Sequence, residues 1–220
     1  MIKAVVFDFD GLILDTETPE FHSFVRLFQE HGAELTMEVW GRCIGTAPGS
    51  FDPYAHLEQC LGSAVDQTAA RARRRALYEE LMQGADARPG VRDYLQRARE
   101  LGLSVGLASS SPRAWVTGYL NGLGLLDYFD CIRTFDDVER AKPDPELYLK
   151  ALEGLGVRPD EAVAFEDSPN GALAAKRAGM HCVIVPNEVT RQLTFGDFDM
   201  KLESMAARPL GEVLAELSRT

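Results

Sequence analysis

The sequence predicts an α/β protein: a Rossmann-like parallel sheet core with helices on both faces, plus one inserted all-helical cap. Three observations carry this. Short apolar runs recur along the chain, each followed by a longer amphipathic stretch. In the second half those stretches begin near a proline and end at a glycine. Residues 17–85 break the rhythm and hold no convincing strand.

The strands are expected at residues 4–9 (AVVFDF), 103–108 (LSVGLA), 131–134, 162–165 (AVAF) and 181–185 (HCVIV). Continuous apolar runs of this length suit strands covered on both faces. Val91, Tyr94, Leu95, Ala98 and Leu101 fall at helical spacing, between Pro89-Gly90 and Gly102. Residues 143–156 and 169–179 repeat that pattern. Strand, helix, strand in this order makes a parallel sheet. Inside the block, residues 19–31 read as a helix with Phe21, Phe24, Val25, Leu27 and Phe28 inward, capped by Thr18 and closed by Gly32. Residues 66–83 read as another helix, and 37–44 and 57–61 as shorter ones. The expected division is a core domain of residues 1–16 and 86–220 with a helical cap domain at 17–85. The insertion follows a strand end, where open α/β sheets bind ligands. It reads either as a lid or as a decoration that only covers a sheet face.

The chain has 220 residues, enough to bury a core without disulfide or metal staples. Thirty-four acids against 23 bases leave a net charge of −11 and a pI near 4.9. An evenly acidic surface disfavours nucleic acid and anionic membranes as partners. It also disfavours an anionic substrate, unless the acids that matter surround a cation. Cys43, Cys60, Cys131 and Cys182 form no CxxC pair and read as buried free thiols in a reducing cytosol. The apolar run before Asp8 is only four residues long, too short for a signal peptide or a membrane span, so the expected location is the cytoplasm.

Four strand ends carry chemistry. Asp8-Phe9-Asp10-Gly11 places two carboxylates two residues apart; it reads as half of a site for a hard divalent cation or as a turn that breaks the strand. Ser109-Ser110-Ser111-Pro112 offers hydroxyls and free N–H groups for phosphate, or a helix N-cap. Lys142, held out of helical geometry by Pro143, aims at an anion or sits solvated on the surface. Glu166-Asp167-Ser168 completes a metal site or caps the next helix. Parallel strands end on one edge, so these groups converge. Together they bind a metal and a phosphoryl group and leave one carboxylate free to attack.

With these residues in place, the sequence resembles the haloacid dehalogenase-like phosphohydrolase superfamily. Residues 8–16 (DFDGLILDT) match its first signature, DxDGxxxD[ST]; Ser109, Lys142 and Glu166-Asp167 match the second, third and fourth motifs. The chain is similar to the helical-cap branch, which includes β-phosphoglucomutase and phosphoglycolate phosphatase. The resemblance implies Asp8 as nucleophile forming an aspartyl-phosphate, and Asp10 as general acid and base. It implies Mg²⁺ held by the Asp8 carboxylate, the Asp10 main-chain oxygen and Asp167, with Glu166 close or acting through water. It implies Ser109, Ser110 and Lys142 around the phosphoryl oxygens, a small phosphorylated metabolite as substrate, and a monomer. Glu20 stands where the mutase has a histidine, and Pro48 where it has an arginine, so hydrolysis of a phosphate monoester fits better than phosphoryl transfer within a sugar. The alternatives are that mutase reaction and a phosphoryl-accepting signalling module, whose receivers have about half this length and no cap. Arg74, in the basic run at 71–75, reads as part of a solvated helix face or as a cation over the site. The loop at 45–51 is a candidate specificity loop, and Trp40 and Trp115 read as packing residues.

Overall fold

A computed structural model of the chain describes residues 1–41 and 51–218. The strands are β1 (Ala4–Phe7), β2 (Ser104–Ala108), β3 (Cys131–Arg133), β4 (Ala162–Glu166), β5 (His181–Ile184) and β6 (Met200–Lys201). They form one parallel sheet in the order β3-β2-β1-β4-β5-β6. The order reverses at β1, whose neighbours are β2 and β4, and that reversal opens a crevice beyond the strand ends. The two-residue β6 is too short to leave a pattern in the sequence.

Alternate residues of β1 face different layers, as the pleat requires. Val5 and Phe7 pack with Val91, Tyr94, Leu95 and Ala98 of α5 (Val91–Glu100), and with residues of α6 (Arg113–Leu123) and α9 (Leu210–Leu217). Ala4 and Val6 pack with α7 (Glu146–Leu155) and α8 (Pro169–Arg177) on the opposite face. The sheet is therefore covered on both sides, which is why its strands read as unbroken apolar runs.

Between β1 and α5 lie α1 (Glu17–Glu30), α2 (Met37–Trp40), α3 (Pro53–Leu61) and α4 (Gln67–Leu81). They bury their own cluster, in which Phe24, Leu27, Phe28, Trp40, Leu57 and Leu77 meet. Phe24 packs edge-on to Tyr54 and 5.2 Å from the Trp40 ring centre, so Trp40 is a packing residue as expected. The chain leaves and re-enters the sheet layer at adjacent points: Leu14 bridges Ala87, and the Arg88 N–H donates to Ile13 O at 2.8 Å.

Three expectations change. Helix α1 starts at Glu17, and the Thr18 hydroxyl does not cap it; the Thr18 N–H donates to Asp15 Oδ1 at 3.0 Å instead. Thr16 occupies the cap position, but its hydroxyl is given to Asp10. Helix α2 ends at Trp40, and residues 42–44 of the 37–44 stretch, Cys43, Pro48 and residues 45–50 of the candidate loop lie outside the described residues. Cys131 and Cys182 are buried free thiols, whereas Cys60 is exposed. Among the described residues no helix is long and apolar enough to cross a membrane.

Phe28 is fully buried in the helical cluster. Phe28→Ala is expected to destabilise the protein by about 3–5 kcal/mol, read as a lower urea midpoint with circular dichroism. A shift below ~1 kcal/mol would mean that this cluster does not unfold with the rest of the molecule.

Candidate active site

Asp8 follows β1 directly and its N–H donates to Phe165 O on β4 at 3.0 Å. The pairing of Phe7 with Phe165 therefore brings Asp8 beside Glu166 and Asp167. One carboxylate oxygen from each of the three lies within 4.8 Å of the others, and all three residues are buried. Lys142 Nζ sits among them. It donates to Asp8 Oδ1 at 2.5 Å, Glu166 Oε1 at 2.7 Å and Ala108 O at 2.6 Å. Tyr148 OH donates to the same Glu166 oxygen at 2.5 Å. Glu166 Oε2 is buried with no hydrogen-bond partner.

The electrostatics follow from burial. Asp8 is pushed up to about 8 by desolvation, with Lys142 opposing and Glu166 adding to the rise. Asp167 lies well above the usual carboxylate range for the same first reason, reinforced by Asp8 and Glu166. Burial alone would depress Lys142, but Asp8 and Glu166 outweigh it and the ammonium holds its proton more tightly than usual. Three hard oxygen donors, one unpartnered, around a single ammonium form a fitting donor set for a divalent cation.

The loop after β1 is shaped for this. Gly11 takes φ +77°, and a Cβ on it would stand 2.3 Å from Asp167 Oδ2. Asn187 Nδ2 holds that same oxygen at 2.7 Å. Arg88 ties the loop down, donating to Gly11 O, to Val185 O at 3.0 Å and to Pro186 O at 3.1 Å. Ser168, not Asp167, caps α8, accepting from the Gly171 N–H at 3.2 Å, and so leaves Asp167 to the cluster.

Asp10 has a different environment. Its Oδ1 accepts from Thr16 Oγ1 at 3.0 Å and Trp115 Nε1 at 2.9 Å; its Oδ2 accepts from Ser111 Oγ at 2.6 Å and, at the long distance of 3.4 Å, from Ser109 Oγ. None of these donors is charged. The Asp10 carboxylate is outside the acidic cluster of Asp8, Glu166 and Asp167. Trp115 is thus a site residue as well as a packing one, which corrects the sequence reading.

All of the sequence-picked residues except Glu166 line one cavity of about 710 Å³. Glu166 stands behind it, touching Lys142. Ser109 is buried, and Ser110 is exposed at the helix-α6 side of the cavity. The side of the cavity that the helical layer supplies is lined by Glu17, Glu20, Arg74 and Tyr78. Arg74 is not a solvated helix residue: it is ion-paired to Glu20 over the site. Burial lifts Glu20 above its usual range, with Arg74 opposing. Sequence reasoning missed Tyr148, Asn187 and Arg88. Asn187 follows the end of β5 and the strand-end rule could have found it; Tyr148 sits at an apolar-periodic helix position that gives no signal.

Comparison with known proteins agrees with this geometry. Residues 5–185 match the family model described as haloacid dehalogenase-like hydrolase. The protein named "Putative phosphatase YhcW" of Bacillus subtilis is 53% identical over 99% of both chains. The phosphorylated carbohydrates phosphatase of Thermotoga maritima is 33% identical over 81% of this chain and 82% of its own. The crystal structure of CbbY from Rhodobacter sphaeroides in complex with phosphate superposes with a TM-score of 0.71 at 30% identity, over 94% of this chain and 96% of that one.

Glu17 supplies a pH test. Burial, then the negative charges of Asp10, Glu20 and Asp15, push it up from 4.5 to about 7. Folded Glu17 keeps its proton to about pH 7, whereas the unfolded chain releases it near 4.5. Between those values the folded state binds more protons, so stability falls as pH rises through that window and stays lower above it. Glu17→Gln is therefore expected to be more stable than wild type by about 1–3 kcal/mol at pH 8, with no difference at pH 4. Equal urea midpoints at both pH values would show that the carboxyl carries no such cost.

Proposed function

Since this chain belongs to the haloacid dehalogenase-like hydrolases, we propose that it is a Mg²⁺-dependent phosphatase that hydrolyses a small phosphate monoester, such as a sugar phosphate, through an aspartyl-phosphate on Asp8. Its relatives are phosphatases by name, and the one from Thermotoga is named for phosphorylated carbohydrates. The observation that carries the reading is Lys142, buried and gripping Asp8 and Glu166 on the wall of a cavity that is also lined by Asp10 and Ser109.

Asp8 Oδ1 is held by Lys142, which leaves Oδ2 to attack phosphorus. The bond from phosphorus to the leaving oxygen breaks, and Asp10 delivers its proton to that oxygen. Asp10, now a carboxylate, takes a proton from water; the water oxygen attacks phosphorus and the Asp8–phosphorus bond breaks, restoring both acids. Thr16, Trp115 and Ser111 hold Asp10 by neutral donors, which orient its carboxyl at the cavity wall. Ser109, the Ser110 N–H and Lys142 surround the phosphoryl oxygens. Mg²⁺, held by Asp8, the Asp10 main-chain oxygen and Asp167, with Glu166 close by, would offset the repulsion between a carboxylate nucleophile and a phosphate dianion.

The division into a core domain at 1–16 and 86–220 and a cap domain at 17–85 is part of the proposal. It is supported by the helical cluster, which draws on the core only through Val189, and by the adjacent crossing points at Leu14 and Ala87. Opening of the helical layer would admit substrate, and its closure would exclude bulk water. At the position of the mutase histidine, Glu20 is engaged by Arg74 and offers no free base, which favours hydrolysis.

Two measurements test this. Turnover of p-nitrophenyl phosphate is expected to vanish on chelation, to return with Mg²⁺, and to be lost in Asp8→Asn; metal-independent turnover that survives Asp8→Asn would sink the mechanism. Asp10→Asn is expected to lower kcat/KM by about 10²–10⁴ on an alkyl phosphate, and by much less on p-nitrophenyl phosphate, whose leaving group departs without a proton. An equal loss on both would remove Asp10 from the general-acid role.

A further inference from the structure

The chemistry at Asp8 does not determine which phosphate ester the cavity admits; the far end does. That end is lined by Glu17, Glu20, Arg74, Arg75, Tyr78 and Glu79. Every cation of this end among the described residues already has an acid partner. Arg74 pairs with Glu20, and Arg75 pairs with Glu79 at 2.9 Å along the same helix. Glu17 adds a carboxyl with no hydrogen-bond partner among the described residues. With all these groups ionised, three carboxylates face two guanidinium groups, a net of −1.

Arg74 is also fixed in place. Its guanidinium lies 5.3 Å from the Phe24 ring centre and 5.8 Å from that of Tyr78. Its side chain is 23% exposed, and its Nε is buried without a partner. A rigid arginine at the end of a phosphate-ester cavity would ordinarily hold a second phosphate. Here a second phosphate would have to displace Glu20, at a site with no net positive charge before it arrives. A neutral polyol needs no such displacement: its hydroxyls donate to Glu17 and Glu20 and accept from Arg74.

We propose that Glu20, by occupying Arg74, makes this cavity selective for monophosphates of neutral polyhydroxylated compounds and against bisphosphates. The proposal rests on the phosphatase reading above. Glu20 acts here as a specificity-determining residue. The mutase comparison asks whether position 20 provides a base; the ion pair with Arg74 gives Glu20 a separate role in leaving-group choice.

The test is competition with p-nitrophenyl phosphate turnover in the presence of Mg²⁺, comparing glucose 6-phosphate with glucose 1,6-bisphosphate as inhibitors. Wild type is expected to bind the bisphosphate no more tightly than the monophosphate, despite its extra charge. Glu20→Gln is expected to shift the ratio of inhibition constants toward the bisphosphate by about 10-fold. Adding Arg74→Gln to that variant is expected to cancel the shift. A merely structural role for Glu20 would weaken both inhibitors alike and leave the ratio unmoved. The wild-type measurement needs no variant to fold: a preference for the bisphosphate of tenfold or more overturns the proposal, as does an unchanged ratio in Glu20→Gln. Absence of any Mg²⁺-dependent turnover in wild type overturns the phosphatase reading and this inference with it, a result distinct from turnover with an unchanged ratio.

Discussion

One buried ammonium holds the catalytic end together. Lys142 reaches two carboxylates and a main-chain carbonyl from a loop that belongs to neither β1 nor β4. Three acids and one lysine leave the cluster two charges short of neutrality when fully ionised. Buried charges of one sign relieve that imbalance by taking up protons or by binding a cation. The upward shifts of Asp8 and Asp167 show the first response. A divalent cation would complete the second, and in the proposed mechanism would turn a protonated Asp8 into the anion that attack on phosphorus needs. Stability and readiness for catalysis thus draw on the same imbalance.

The fold also separates two carboxylates that stand only two residues apart. Asp8 lies at the junction of β1 with β4, against Lys142, and Asp10 is turned toward hydroxyls and an indole. Strand geometry sends alternate side chains to opposite faces, so residues two apart share a pocket. It is the tight Gly11 loop, bonded from its N–H to Leu14 O at 2.8 Å, that then turns the chain and gives each acid its own neighbours. The net charge of −11 misleads about this site, because its sign is set locally, within a few ångströms.

Much of this was legible in the sequence because the fold writes its site at strand ends. An acid or hydroxyl directly after an apolar run is visible without coordinates, and that rule found Asp8, Ser109, Glu166 and Asp167. It failed where the signal is periodic. Tyr148 occupies an inward helix position like any core residue, and its hydroxyl matters only because Glu166 lies opposite. Trp115 failed for a related reason: its ring packs 4.8 Å from Tyr119 as a core aromatic would, while its one polar atom points at Asp10. Arg74 reads from the sequence either as one of several solvated arginines or as a cation over the site, and the approach of α1 to α4 decides for the second. Thr18 reads as the cap from the sequence, but Thr16 takes the cap position and gives its hydroxyl to Asp10.

The crossing at Leu14 and Ala87 has a consequence for how such a molecule changes over time. The chain departs from the sheet layer and returns at neighbouring points, with no strand order altered by the excursion. The described part of the detour crosses at one seam, which Arg88 locks to the end of β5, and it also rests on the core where His22 meets Glu188 and Tyr78 meets Trp115. A detour of this kind can lengthen, shorten or be exchanged without rethreading the strands on which Asp8, Lys142 and Asp167 depend. Under the proposed division, changes in the detour would tune admission and changes in the sheet would tune chemistry, each with little effect on the other.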